Sequence, residues 1–283
     1  MDALAGKVAV ITGAGSGFGR EFARLGHRYG MKLVLADVQP DALEATLAEL
    51  RGSGATAIGV VTDVARSEQV AALAERAFGE FGHVHLLFNN AGVGGGGYLW
   101  ESTERDWQWV LGVNLWGVLH GIRVFVPIML EQDSECHVVN TASVAGLVSA
   151  PWAATYDVTK HGVVTLSESL HQELALIGSK VNVSVLCPAW VKTDLMSGDR
   201  NRPDSLGSQP GHAPMPPQAA MMEQGFRALV AGGTDPAGIG ELVLDAIRRE
   251  KFYILPHPEW KEQIRARVDG IIEERNPGVT PPA

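Results

Sequence analysis

Apolar, β-branched runs and segments of helical spacing take turns along this chain. Short runs at 7–12, 32–37, 56–61, 84–89, 136–142, 180–187 and 252–255 read as strands. Between them, helical patterns lie at 17–29, 40–52, 67–80, 104–131, 155–178 and 236–250. The strand runs are apolar throughout rather than alternating, as a sheet covered on both sides requires. The pattern predicts an α/β fold: a single-domain, doubly wound parallel sheet with helices on both faces. No internal repeat is present. Two stretches interrupt the rhythm. Gly94 to Gly97 reads as a flexible loop or as slack between elements, and Ser197 to Pro217, rich in Pro, Gly, Ser and Asp, reads as a lid or a disordered insertion. Trp260 to Ile272 predicts a last helix over the rim or at a subunit contact, and Asn276 to Ala283 a frayed tail.

Candidate chemistry begins where the first strand ends. Gly13-Ala14-Gly15-Ser16-Gly17-Phe18-Gly19 joins that strand to a helix with Phe22, Leu25 and Tyr29 on one face. Glycines let backbone approach a phosphate, and the following helix N-terminus favours an anion. The second strand ends at Asp37, about 20 residues on, where a carboxylate can accept the hydroxyls of an adenine-bound ribose. It can equally be a helix cap or a loop carboxylate. Val38, Gln39 and Ser16 offer no cation to a 2′-phosphate, so NAD is expected rather than NADP.

A second constellation is Ser143, Tyr156 and Lys160. Tyrosine is a poor acid or base near neutrality unless its phenolate is stabilised. A lysine four residues on lies one helical turn along the same face and can supply that charge. Ser143, at a neighbouring strand end, can bind the same oxygen. Together they suit proton transfer to or from an alcohol or carbonyl. The spacing alone also fits an ordinary amphipathic helix pair; the glycine turn is what favours chemistry.

Bulk properties narrow the partners. The 283 residues suit one large domain, and the formal net charge of -9 argues against nucleic acid or an anionic membrane surface. Cys136 and Cys187 read as buried small hydrophobes, not a disulfide framework. The sequence offers no candidate metal site. No signal-like opening and no apolar run approaching the ~20 residues of a membrane span are read, so a cytoplasmic location is expected. Of seven tryptophans, Trp107, Trp109 and Trp116 read as core or interface. Trp152 and Trp190 are candidates to face substrate, and His161 reads as structural.

Taken in order, these motifs resemble the short-chain dehydrogenase/reductase family over residues 5 to 255. Thr12 to Gly19 is similar to its T-G-x-x-x-G-x-G turn, Asp63-Val64 to its adenine-contacting dipeptide, and Asn89-Asn90-Ala91-Gly92 to its N-N-A-G motif. Asn114, Ser143, Tyr156 and Lys160 match its catalytic tetrad. Cys187 to Thr193 resembles its P-G-x-x-x-T segment, with Ala189 in place of the glycine. That segment and Phe252 to Glu259 are further similar to bacterial dehydrogenases of the Cα alcohols in lignin-derived aryl ethers.

The resemblance implies a Rossmann-type NAD-binding and catalytic domain at 1–255, with a substrate lid at about 194–230, and a C-terminal helix and tail at 256–283. The cofactor set it implies is Gly13, Gly15, Ser16, Gly17, Phe18, Gly19, Asp37, Asp63, Val64, Asn90, Ala91, Gly92, Tyr156, Lys160, Pro188, Val191 and Thr193. Lys160 is further expected to lower the tyrosine pKa and bind the nicotinamide ribose, and Asn114 to anchor a water leading from Lys160 to solvent. Val144, Trp152 and Trp190 are expected against a bulky, aryl-substituted secondary alcohol or its ketone. A steroid-type or fatty-acyl-type substrate and a non-catalytic redox sensor are the alternatives. An NAD-recycling epimerase is disfavoured by the glycine spacing. A homodimer or homotetramer is expected.

Overall fold

The structure, a computed structural model, describes residues 1, 3–207 and 217–278. Its centre is a seven-stranded, all-parallel sheet in the order β3-β2-β1-β4-β5-β6-β7. The strands are β1 (Val8–Thr12), β2 (Lys32–Asp37), β3 (Ala57–Val61), β4 (Leu86–Asn89), β5 (Cys136–Thr141), β6 (Val181–Leu186) and β7 (Tyr253–Ile254). The helices between them are α1 (Gly17–Arg28), α2 (Pro40–Gly52), α3 (Ser67–Phe81), α4 (Glu104–Leu111), α5 (Gly117–Glu131), α6 (Ala154–Leu176), α7 (Pro217–Gly232), α8 (Pro236–Arg248) and α9 (Lys261–Ile272).

Strand geometry sends alternate side chains to opposite faces, and both faces are buried. Ile11, Leu33, Leu35 and Phe88 pack on one side with Phe22, Leu25, Ile239 and Val243. Val10, Val34, Leu87 and Val138 pack on the other with Leu73, Phe125, Met129 and Leu170. This two-sided burial explains why the strand runs carry no polar alternation. Strand order reverses between β1 and β4, whose neighbours along the chain run away in opposite directions. Loops leaving these two carboxyl ends diverge and open a crevice, the usual ligand position in such sheets.

The structure departs from the sequence reading at several points. The predicted helix 104–131 is interrupted by a π turn at Gly112–Trp116 between α4 and α5. That helical stretch also averages apolar enough, over enough residues, to span a membrane. Trp109, Val118, Phe125 and Met129 of this stretch are buried in the fold, while Trp116 and Leu130 are exposed. Gly94 to Gly96 is packed rather than slack: a Cβ on Gly95 would lie 2.5 Å from Thr155 Oγ1, whereas one on Gly97 would meet nothing within 4 Å. In the 197–217 stretch, the described part folds into short 3-10 turns at Asp194–Asn201 and Asp204–Leu206. Residues 208–216 lie outside the described set, as do 279–283 of the tail; α7 was not anticipated.

Candidate active site

The glycine turn is shaped by what stands against it. Gly13 has φ 66°, a left-handed conformation that side chains resist, and a Cβ there would sit 2.9 Å from Ala91 Cα. Thr12 fastens the crevice floor: its Oγ1 accepts the Asn90 and Ala91 amides at 2.9 and 3.1 Å and donates to Phe88 O at 3.2 Å. Asn90 Nδ2 returns a bond to Thr12 O at 3.0 Å. Asp37 Oδ2 accepts the Gly15 amide at 2.8 Å, and its Oδ1 accepts the Gln39 amide at 2.9 Å. Asp37 therefore reaches from the β2 end to the turn, and Gly15 has no room for a side chain beside it.

Ser16 caps α1 without a side-chain hydrogen bond, and the first turn of α1 holds no acidic residue. Its free amides and positive dipole end suit a phosphate. Thr193 lies against Gly17, and Asp63 holds its own loop by accepting the Ala65 amide at 3.0 Å. Phe18, Val64, Gly92, Pro188 and Val191 line the same cavity, whereas Gly19 packs beneath it, against the backbone of Gly13 and Ala14. These groups fit a dinucleotide: a backbone cradle, a helix terminus and a carboxylate at the far end.

The tetrad candidates converge at the other end of the cavity, which measures about 790 Å³ in all. Ser143 leaves β5 and is buried; its Oγ accepts the Ala145 amide at 3.2 Å and donates to Pro188 O at 3.2 Å. Lys160 is buried one turn beyond Tyr156, with Nζ 5.4 Å from the Tyr156 ring centre and 2.9 Å from Thr141 O. Burial pushes Tyr156 up to about 12, opposed by a hydrogen bond with Ser143. Burial likewise pushes Lys160 down to about 8. The expected lowering of the tyrosine by Lys160 is therefore not the net result here, because desolvation disfavours both charged forms.

Asn114 lies buried in the π turn behind the other tetrad candidates. Its side chain is committed to Val93, accepting that amide at 2.8 Å and donating to the carbonyl at 2.9 Å, and it reaches Thr159 Oγ1 at 3.2 Å. It anchors the strand exit above β4. The π turn that carries it interrupts the regular helical hydrogen-bond ladder at this point.

Aromatic groups surround the remaining space. Trp152 holds φ 76° and meets Tyr98 edge-on at 4.2 Å, while its carbonyl accepts the Gly97 amide at 3.0 Å. Trp190 packs against Phe226 of α7 at 5.6 Å. Val144 and Val148 form an apolar cluster with Trp260. The sequence reading missed Tyr98, Phe226, Trp260 and His257. His257 Nδ1 accepts the Ala189 amide at 3.0 Å, and its Nε2 lies 3.0 Å from Thr234 Oγ1. Its imidazole thus braces the Pro188–Trp190 loop from the C-terminal segment. The segment Phe252 to Glu259 was singled out as a whole, but only the folded contacts pick out this residue. His161 turns onto its own helix, with Nδ1 2.9 Å from Asp157 O, and both cysteines are buried and free.

Two arginines could have supplied an anion site, and both are engaged. Arg202 bonds to Asp106 Oδ1 and Gly207 O at 2.7 Å each and lies 5.3 Å over the Trp109 ring. Arg200 bonds to Ser197 O at 2.6 Å and to Asp194 O at 3.3 Å. Among the described residues, no cluster of His, Cys, Asp and Glu is arranged to hold a metal.

Comparison with known proteins agrees with this geometry. Residues 7–204 match the short chain dehydrogenase family model. The chain is 33% identical over 274 residues to a CLA biosynthesis dehydrogenase/reductase of Lactiplantibacillus plantarum, covering 96% of each chain. It is 33% identical over 272 residues to a C alpha-dehydrogenase of Sphingobium, covering 96% of this chain and 87% of the relative. A short chain dehydrogenase/reductase from Burkholderia phymatum, solved in complex with NAD, superposes with a TM-score of 0.95 at 49% identity over 98% of both chains. The chain belongs to the short-chain dehydrogenase/reductase family of oxidoreductases.

Proposed function

We propose that the protein interconverts a bulky, aryl-substituted secondary alcohol and its ketone by hydride transfer with NAD(H). The observation that carries this reading is one continuous cavity with Asp37 at one end and Ser143, Tyr156 and Lys160 at the other, walled there by Tyr98, Trp152, Trp190 and Trp260. Apolar pockets with few polar groups select hydrophobic ligands, and aromatic walls favour aromatic rings. The engaged states of Arg200 and Arg202 disfavour a phosphate or carboxylate substrate. The solved relative bound to NAD and the C alpha-dehydrogenase relative support cofactor and substrate class respectively.

The cofactor's phosphates would rest on Gly13 to Gly19, its adenosine ribose on Asp37, and its adenine near Asp63 and Val64. Bound nicotinamide supplies the two-electron chemistry at the carbinol carbon. In oxidation, Ser143 Oγ holds the substrate oxygen and the Tyr156 phenolate removes its proton. Lys160 as ammonium stabilises that phenolate; in reduction Tyr156 returns the proton. Pro188 and Val191, which line the cavity, would wall the nicotinamide, and Trp152 and Trp190 would enclose the aryl group.

Steady-state kinetics with a phenyl ketone, an aliphatic ketone of similar volume and a sugar test the substrate. The phenyl ketone is expected to give the highest kcat/KM, and a sugar in first place overturns the reading. NAD is expected to outperform NADP, with Asp37→Ser shifting the preference toward NADP because a carboxylate repels a 2′-phosphate. Equal use of both cofactors by the wild type overturns the assignment of Asp37.

A further inference from the structure

The segment after β6 crosses the cavity and is fastened on both of its banks. At one end of the crossing, Gln39 Nε2 donates to Asn201 Oδ1 at 2.6 Å. Gln39 is the residue whose amide is held by Asp37, so this bond lies at the adenosine end of the crevice. One residue later, Arg202 is bound to Asp106 at the start of α4, on the opposite bank. Its side chain is only 4% exposed, and Asp106 is itself fixed by a capping box with Thr103. Between the fastenings and β6, the segment lies close over the β4 exit: a Cβ on Gly94 would come within 3.2 Å of Leu195 O.

A flap that covered substrate alone would need only the α4 fastening. The Gln39–Asn201 bond joins positions 162 residues apart and touches the bank where no substrate is placed. We propose that Gln39 and Asn201 form a clasp that closes the 194–207 segment over the adenosine half of the dinucleotide, so that cofactor release requires this bond to break. The inference rests on the NAD(H) reading above and assigns Gln39 and Asn201 as positioning residues for cofactor retention. It also makes Asp37 act twice: toward the ribose, and through the Gln39 amide toward the clasp.

The test is NADH release from the intact protein, followed by stopped-flow fluorescence during displacement by excess NAD, with no alcohol present. Gln39→Ala and Asn201→Leu are each expected to speed release about 3- to 10-fold, the change corresponding to one net hydrogen bond. The double variant should release no faster than either single variant, because both remove the same bond. Asn201→Asp keeps an acceptor for Gln39 Nε2 and is expected to restore slow release. Unchanged release in both single variants, or additive effects in the double variant, overturns the clasp. Failure of the wild type to bind NADH at all instead overturns the cofactor reading, so the two failures are distinguishable.

Discussion

Tyr156 moves the proton in the proposed reaction, and its neighbours determine how easily. Tyr156→Phe keeps the ring and removes the hydroxyl. It is expected to lower kcat by at least about 10²-fold, with NADH binding retained in a fluorescence titration. More than half the wild-type kcat remaining would remove Tyr156 from the mechanism. Lys160 makes a separate statement about stability. Its folded-state pKa is depressed to about 8 by burial. Below that pH the buried ammonium opposes folding in full. As pH rises from about 8 toward the ordinary lysine value the unfolded chain holds the extra proton, and the penalty is relieved. Wild type should therefore gain stability relative to Lys160→Met over this range, by up to about 3 kcal/mol in urea unfolding. A difference flat in pH would show that the lysine is solvated. Ser143, Tyr156 and Lys160 were legible in the sequence because two of them are one helical turn apart and the third ends a strand. Thr141, whose carbonyl receives Lys160, had no such local signature.

At the scale of elements, the informative joint is between β6 and the C-terminal segment. His257 is buried among polar partners and accepts the Ala189 amide, which fixes its proton on Nε2, toward Thr234. His257→Phe keeps a ring but leaves that amide unpaired, a loss of about 1–3 kcal/mol. The Pro188–Trp190 loop should loosen, raising the KM for the alcohol about tenfold, with a smaller loss of NADH affinity through Pro188. An unchanged KM with lowered thermal stability would assign His257 to folding alone. Strands were legible as short continuous apolar runs, and most helices by apolar positions recurring at the helical period. The π turn was not, since Gly112 to Trp116 carries the same apolar spacing as the helix around it. The His257 contact joins positions 68 residues apart and leaves no periodic trace.

For the whole molecule, several apolar side chains remain in contact with solvent in the single chain. Trp116, Val158 and Tyr253 are about half exposed, and Ile271 and Ile272 more so. Association of copies through such surfaces is expected, and light scattering should report a dimer or tetramer. A monomer at micromolar concentration would refute it. The strand order carries a further consequence, for the order of events during synthesis. β1, β2 and β3 emerge first and can pair among themselves, yet the other side of β1 waits for β4, which begins at Leu86. Until then β1 presents an open hydrogen-bonding edge of Val, Ala and Ile, the kind of template that recruits foreign strands. The nascent chain is thus open to misassembly until the Thr12–Asn90 contacts form, and the crevice beside them is also the seam where the two halves of the sheet meet.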